Sequence, residues 1–394
     1  MSRSRIVFFI VSFLLTFPML AGTLLRAASR DQSPEDDSLY KYLSVFTEVL
    51  GLVRQSYVDA PNMDELMAGA LDGSTDALDP FSIYVPAAEV DRYLEARHTA
   101  WRQSGLTLLK EHGIAYVVAV EKDSPAGKAE AKPGDVVAKI GDRTTRTMPL
   151  WEIQEVLAGR PGTKLDVEVI RLGEPVKVSF TLQPFETPVP SVSEVEGAPV
   201  LRIPTFDGDT AARVKALVEA NGAKAGHGLL IDLRGVSSGD PEAAYAVARL
   251  FAKGDLGVLS RRSEEIQTYA ANQAPVWQGK MVVLVDRGTL GAAEVLATVL
   301  RQKVKAQLVG ERTFGYAGRQ GSADLSSGGR LLFTDAFYTG PDKEPLNKEL
   351  TPDLLVDERS RTFLEKDVPM SELILRRGVR RLLGGEEEIE QKVA

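Results

Sequence analysis

The chain has 394 residues, 44% of them hydrophobic and 26% charged, which is enough for two or three domains and typical of a folded globular body rather than a disordered chain. Its net charge of -8 gives no basic footprint for phosphate, so nucleic acid is excluded as a partner. Cysteine is absent, which removes disulfides, thiol catalysis and thiolate metal sites, and His98, His112 and His227 stand in no metal-binding pattern, so no metal or cofactor is expected.

Arg3 and Arg5 precede an almost unbroken apolar run over residues 6–25, the layout of an export signal. Residues 1–28 are then a removed signal peptide or a retained signal anchor. Arg26 spoils cleavage after Ala28 and the run is long enough to cross a bilayer, which favours the anchor. The bulk of the chain is expected in the cell envelope, periplasmic or otherwise extracytoplasmic, with the membrane as a partner of the N-terminal segment.

A helical region follows over residues 38–100. Residues 39–58 carry a helical stripe at Leu43, Phe46, Leu50 and Val53, and residues 62–78 form a second helix capped by Asn62 and stopped by Asp79-Pro80. A third helix is expected over 87–97. Residues 102–184 change to short β-branched strands at 115–120, 136–140, 165–170 and 176–182, interrupted by one helix at 150–157. His112 reads as a turn residue there, and His227 as the entry to a later strand. Over residues 185–358, strands at 200–203, 228–233 and 281–285 alternate with helices at 210–221, 241–252 and 291–301, which predicts parallel pairing with helices packed on the sheet. Residues 359–394 hold a basic helix at 371–383 and a solvated acidic tail at 386–390. The fold class is multidomain α/β.

Ser124-Pro125-Ala126, then Lys132-Pro133-Gly134-Asp135-Val136-Val137, then Gly159-Arg160-Pro161-Gly162-Thr163, in that order, resemble the signature of bacterial PDZ domains. In that comparison Ser104-Gly105-Leu106-Thr107 is the loop whose backbone N–H groups receive a peptide's terminal carboxylate, with the peptide adding as a strand to the sheet edge. The partners implied are protein or peptide C-termini. Thr107 stands where these domains usually carry a second glycine. The flanks extend the likeness: Tyr57-Val58-Asp59, Leu78-Asp79-Pro80-Phe81-Ser82, Ile231-Asp232-Leu233-Arg234, Thr313-Phe314-Gly315 and Thr351-Pro352-Asp353 resemble, in order, motifs of the C-terminal processing (tail-specific) peptidases. The resemblance implies an α/β core of the ClpP and crotonase kind and leaves homo-oligomerisation open.

That family's chemistry uses a serine at a helix N-terminus, a neutral lysine from a later loop as its base, and backbone N–H groups for the oxyanion. The nucleophile motif, S-A-S-A-S-E, falls on Thr289-Leu290-Gly291-Ala292-Ala293-Glu294, so the attacking position is Gly291. The T-F-G-K-G loop falls on Thr313-Phe314-Gly315-Tyr316-Ala317, so the lysine position is Tyr316, while Gln320 matches the family's glutamine. Gln302 replaces an acidic residue, and the oxyanion loop reads Val236-Ser237-Ser238-Gly239, where the N–H groups of Ser238, Gly239 and Ala292 are the expected donors. With both dyad positions replaced, the resemblance implies a pseudopeptidase acting as an adaptor or regulator. The alternative is an active peptidase with shifted chemistry, for which Thr289, Ser237, Ser238 or Ser322 would supply the nucleophile. A third reading, a small-ligand binder, finds no ligand singled out by any residue.

Overall fold

The computed structural model of the protein describes residues 34–221 and 228–384. The apolar run at 6–25, His227 and the acidic tail at 386–390 lie outside the described residues. Among the described residues no helix is long and apolar enough to cross a membrane. The described residues divide into two compact units, those up to Gly69 and those from Ala70 onward.

Helix α1 is Pro34–Ser56 and α2 is Met63–Asp76. Asn62 starts α2 as expected, its Oδ1 accepting from the N–H groups of Asp64 at 3.1 Å and Glu65 at 3.4 Å. A short strand β1, Ile83–Val85, leads to α3, Val90–Ser104. The third helix thus runs seven residues past its expected end at Arg97, because Tyr93, Ala96 and Ala100 continue one buried face through the weak helix formers between them. Gly105 ends it at φ +77°.

The PDZ region is an antiparallel sheet of β2, Leu106–Glu111, β3, Ile114–Val120, β4, Val136–Ile140, β5, Lys164–Arg171, and β6, Glu174–Thr181, in the order β2-β3-β4-β5-β6. Helix α4, Leu150–Leu157, falls where the sequence places it and buries Leu150, Ile153 and Leu157. The sheet's inner face joins it in a core that includes Leu106, Leu108, Val137, Val167 and Phe180.

Strands β7, Ser191–Val195, and β8, Ala198–Arg202, precede α5, Thr210–Asn221, then β9, Leu229–Asp232, and α6, Pro241–Ala248. Next come β10, Gly254–Arg261, β11, Glu264–Ala271, β12, Met281–Val285, α7, Ala292–Val304, and β13, Gln307–Gly310. The chain closes with β14, Gly318–Asp324, β15, Arg330–Tyr338, β16, Leu354–Leu355, and α8, Met370–Leu383. One sheet, in the order β16-β13-β12-β9-β8-β7, is parallel except for the edge pair β7–β8. Its central strands are apolar throughout, as a sheet covered on both faces requires. The alternation reading captures strands β8, β9 and β12 of this sheet, and misses its strands β7, β13 and β16 and a second, antiparallel sheet in the order β1-β15-β10-β11, with β14 on β15. That sheet leaves no alternation with helices in the sequence because its strands are long, half-polar hairpins, and because β1 is a three-residue strand borrowed from the helical region.

Candidate active site

Strand β12 delivers the chain to the site at its carboxyl end, where open α/β sheets place their ligands. Asp286 caps the turn that follows, its Oδ1 accepting from the N–H groups of Gly235 at 2.7 Å and Gly288 at 3.0 Å. Thr289 completes this turn from inside: its hydroxyl donates to the Leu233 carbonyl at 3.0 Å and accepts from the Asp286 N–H at 2.9 Å, and the residue is fully buried. Its oxygen is therefore engaged within the turn. Gly291 then sits immediately before α7 at φ +62° and ψ −111°, a conformation that disfavours a side chain. Space is not the obstacle, since a Cβ there would find its nearest atom, the Tyr316 carbonyl oxygen, at 3.9 Å.

Glu294, in the first turn of α7 and 1% exposed, holds the facing loop in place. Its carboxylate accepts from the N–H groups of Gly291 at 3.0 Å, Gly315 at 2.6 Å and Tyr316 at 2.8 Å, and from the Thr313 hydroxyl. Burial pushes its pKa up to about 7 against the pull of these four donors. The register that brings Gly291 opposite residue 316 is thus a direct product of Glu294.

Tyr316 turns its ring into an aromatic group. It stacks on Phe81 at 4.4 Å and 23° and meets Phe337 edge-on at 5.3 Å, and its hydroxyl bonds the Thr334 hydroxyl. Burial raises the pKa of that hydroxyl. Gln320 donates to the Phe81 carbonyl at 2.5 Å, so the glutamine and tyrosine positions converge on the same phenylalanine. Gln302 instead bonds Asp342 at 2.6 Å, and Ser322 lies on β14 opposite Leu332.

The expected oxyanion loop follows β9. Arg234 forks onto Asp232 through two bonds of 2.7 Å, and Arg202 donates to the Arg234 carbonyl at 2.6 Å. Burial alone would raise the Asp232 carboxyl, yet these guanidinium groups hold it below its usual range. The strand end is thereby rigid where the loop begins, and the Leu290 N–H ties it to the nucleophile turn by donating to the Val236 carbonyl at 2.9 Å. Ser238 donates its hydroxyl to Thr205 at 3.2 Å, Gly239 passes at φ +123° beside Phe206, and Ala292 opens α7 as a buried residue. Ser237 shares a 2.7 Å hydrogen bond with Thr107 of the PDZ sheet.

The expected carboxylate loop is built differently from its sequence reading. Ser104 belongs to α3 and is fully buried, Gly105 is the helix cap whose N–H donates to the Trp101 carbonyl at 2.7 Å, and Leu106 and Thr107 already lie in β2. The Leu106 N–H donates to the Ser104 hydroxyl at 3.1 Å. Behind the loop, Leu106, Leu108, Val167 and Leu157 line a cavity of about 10 Å³, room for about one water.

The structure therefore joins Gly291 to Tyr316 through Glu294, ties the loop of Ser238 and Gly239 to the 291 turn through Val236 and Leu290, sets Tyr316 and Gln320 on Phe81, and buries Thr289 in the turn. Sequence reasoning carried Glu294 only as the last residue of the nucleophile motif and gave Phe81 and Thr334 no role. A carboxylate followed at 21 and 22 residues by its N–H donors leaves no periodic signal.

The comparisons agree with this construction. The model of peptidase family S41 matches residues 198–356, and a PDZ domain model matches residues 116–171. The carboxy-terminal processing protease CtpA of Bacillus subtilis is 27% identical over 304 residues, 75% of this chain and 65% of that protein. A carboxy-terminal-processing protease of Bartonella bacilliformis is 25% identical over 364 residues, 90% of this chain and 83% of that protein. The chain thus spans just under two thirds of the length of the Bacillus relative. The solved photosystem II D1 C-terminal processing protease shares the fold, with a TM-score of 0.66 at 24% identity, covering 86% of this chain and 90% of that one. Two domain matches in the expected order, similar relatives and a shared fold lead to one assignment: the chain belongs to the PDZ-bearing C-terminal processing peptidase family.

Proposed function

We propose that this protein is a membrane-tethered envelope protein that binds free protein C-termini through its PDZ domain without cleaving them, acting as an adaptor or regulator. One observation carries the reading: Gly291 offers no side chain where the turn presents its nucleophile position, and the Tyr316 hydroxyl opposite is committed to Thr334. Acyl transfer to a hydroxyl needs both the hydroxyl and a group that takes its proton. A phenol whose pKa burial raises is protonated at neutral pH and accepts no proton. The runner-up, an active peptidase with shifted residues, loses support with Thr289 sealed in its turn and the Ser237 hydroxyl shared with Thr107.

The test compares the wild type with Gly291→Ser, Tyr316→Lys and the double variant on an unfolded protein with an apolar C-terminus, alongside a serine-reactive phosphonylating probe. Wild type and both single variants are expected to be inert, because dyad members act as a unit. Only the double variant holds both dyad groups, so any cleavage or probe uptake is expected there alone. Cleavage by the wild type would overturn the proposal.

Binding is expected to depend on the terminal carboxylate. A hydrogen-bonded charge is worth about 1.5–3 kcal/mol, so fluorescence anisotropy should show an amidated apolar peptide binding about tenfold or more weakly than its free-acid form. Equal affinities would remove the carboxylate loop from the reading.

A further inference from the structure

We propose that Tyr316 is a keystone, holding the PDZ sheet and the segment around Phe81 in one fixed arrangement against the α/β core, so that the position which serves proton transfer in this family serves adhesion here. Three parts of the fold meet in the apolar cluster against which this ring packs. From the PDZ sheet come Leu109 of β2 and Val118 of β3, both buried, with Tyr116 beside them. The core supplies Leu290, next to Gly291, and Phe314, next to Gly315. Phe81 arrives from ahead of β1, stacked on Tyr316 and edge-on to Phe314 at 6.0 Å.

The polar rim of the cluster is closed in the same way. Gln320 holds the Phe81 carbonyl at 2.5 Å, and Thr107 and Ser237 share a hydrogen bond of 2.7 Å across the PDZ–core boundary. Packing at that boundary is close enough that a Cβ on Gly288 would lie 3.2 Å from the Val118 carbonyl oxygen. A lysine at 316 is incompatible with this arrangement. Its chain offers no ring to stack on Phe81, and its ammonium would be desolvated among apolar side chains. A planar aromatic fills the same place with large contact area and a single hydroxyl that Thr334 satisfies. The consequence is that β2, the strand to which a peptide would add, is held at one orientation to the core.

This inference goes beyond the proposed function and stands apart from it. Cleavage by the wild type would end the non-cleaving reading and leave the keystone untouched.

Hydrogen exchange read by mass spectrometry on the full chain tests it. Tyr316→Lys is expected to raise exchange about tenfold or more in residues 106–120 and at the Phe81 and Ser82 amides, with β12 and α7 unchanged. Tyr316→Phe keeps the ring and should exchange like the wild type. Leu109→Ser, on the PDZ side, should reproduce the Lys pattern, including the rise at Phe81 and Ser82, and combining the two changes should add little, because either alone opens the cluster. Wild-type exchange in Tyr316→Lys, or additive effects in the double variant, would overturn the proposal. If Tyr316→Lys does not fold, Leu109→Ser decides: exchange that rises in β2–β3 and leaves Phe81 and Ser82 unchanged overturns it.

Discussion

Truncating Glu294 to alanine is expected to lower the free energy of unfolding by about 3–5 kcal/mol, seen as a lower urea midpoint at unchanged slope. The carboxylate accepts from three backbone N–H groups and one hydroxyl, all drawn to a point where water does not reach. Alanine orphans those donors together and leaves a cavity between α7 and the loop carrying Tyr316. The same carboxyl should make stability depend on pH. Burial raises its pKa from 4.5 to about 7, so the folded state holds the proton more tightly than the unfolded chain. The stabilisation is complete below about pH 4.5, falls as pH rises through about 7, and is then constant. Glu294→Gln cannot titrate. Between pH 4.5 and 7.5 the wild type should therefore lose about 3 kcal/mol relative to the glutamine variant. A pH-independent difference would mean that the carboxylate is ionised throughout this range.

Gly239→Ala should cost about 4 kcal/mol, again by urea denaturation, summing backbone strain and overpacking. The backbone holds φ +123° there, and a Cβ would lie 2.5 Å from the Phe206 nitrogen and 2.7 Å from the Phe206 Cβ. Phe206 is itself 2% exposed, so it has nowhere to retreat. Gly208→Ala supplies the contrast. A Cβ at that position meets nothing within 4 Å, and the change should stay within about 0.5 kcal/mol. Equal effects at the two positions would show that the close approach of the expected oxyanion loop to Phe206 has no energetic weight.

The parts of this architecture that were legible beforehand are those written in local patterns. The apolar run of β12, the helical spacing of α5 and the stretch from Leu150 to Leu157 carry their own periodicity, and each element is found where it was expected. Gly291 and Tyr316 could be named because short motifs around them survive on both sides. Contacts that join distant stretches were not legible. Phe81 reaches Tyr316 across 235 positions, and Thr107 reaches Ser237 across 130. No window of sequence reports such a meeting. The extension of α3 to Ser104 was missed for a smaller reason: tertiary burial of Ala100 overrode the weak propensity of His98 and Thr99, which moved Ser104 from a loop into a helix end.

The turn at position 291 also gives loss and recovery of a nucleophile different thermodynamic directions. Any L side chain there must hold φ +62° and ψ −111°, at a cost of about 1–3 kcal/mol. Glycine escapes that strain and gives back only about 0.4–1 kcal/mol through its greater freedom in the unfolded chain. In a chain with this turn, exchange of serine for glycine at 291 is thus a stabilising mutation. The reverse exchange must be preceded by stabilising changes elsewhere, since a net stability of about 5–15 kcal/mol leaves little margin. The backbone thus makes the two directions of exchange at position 291 unequal in folding free energy.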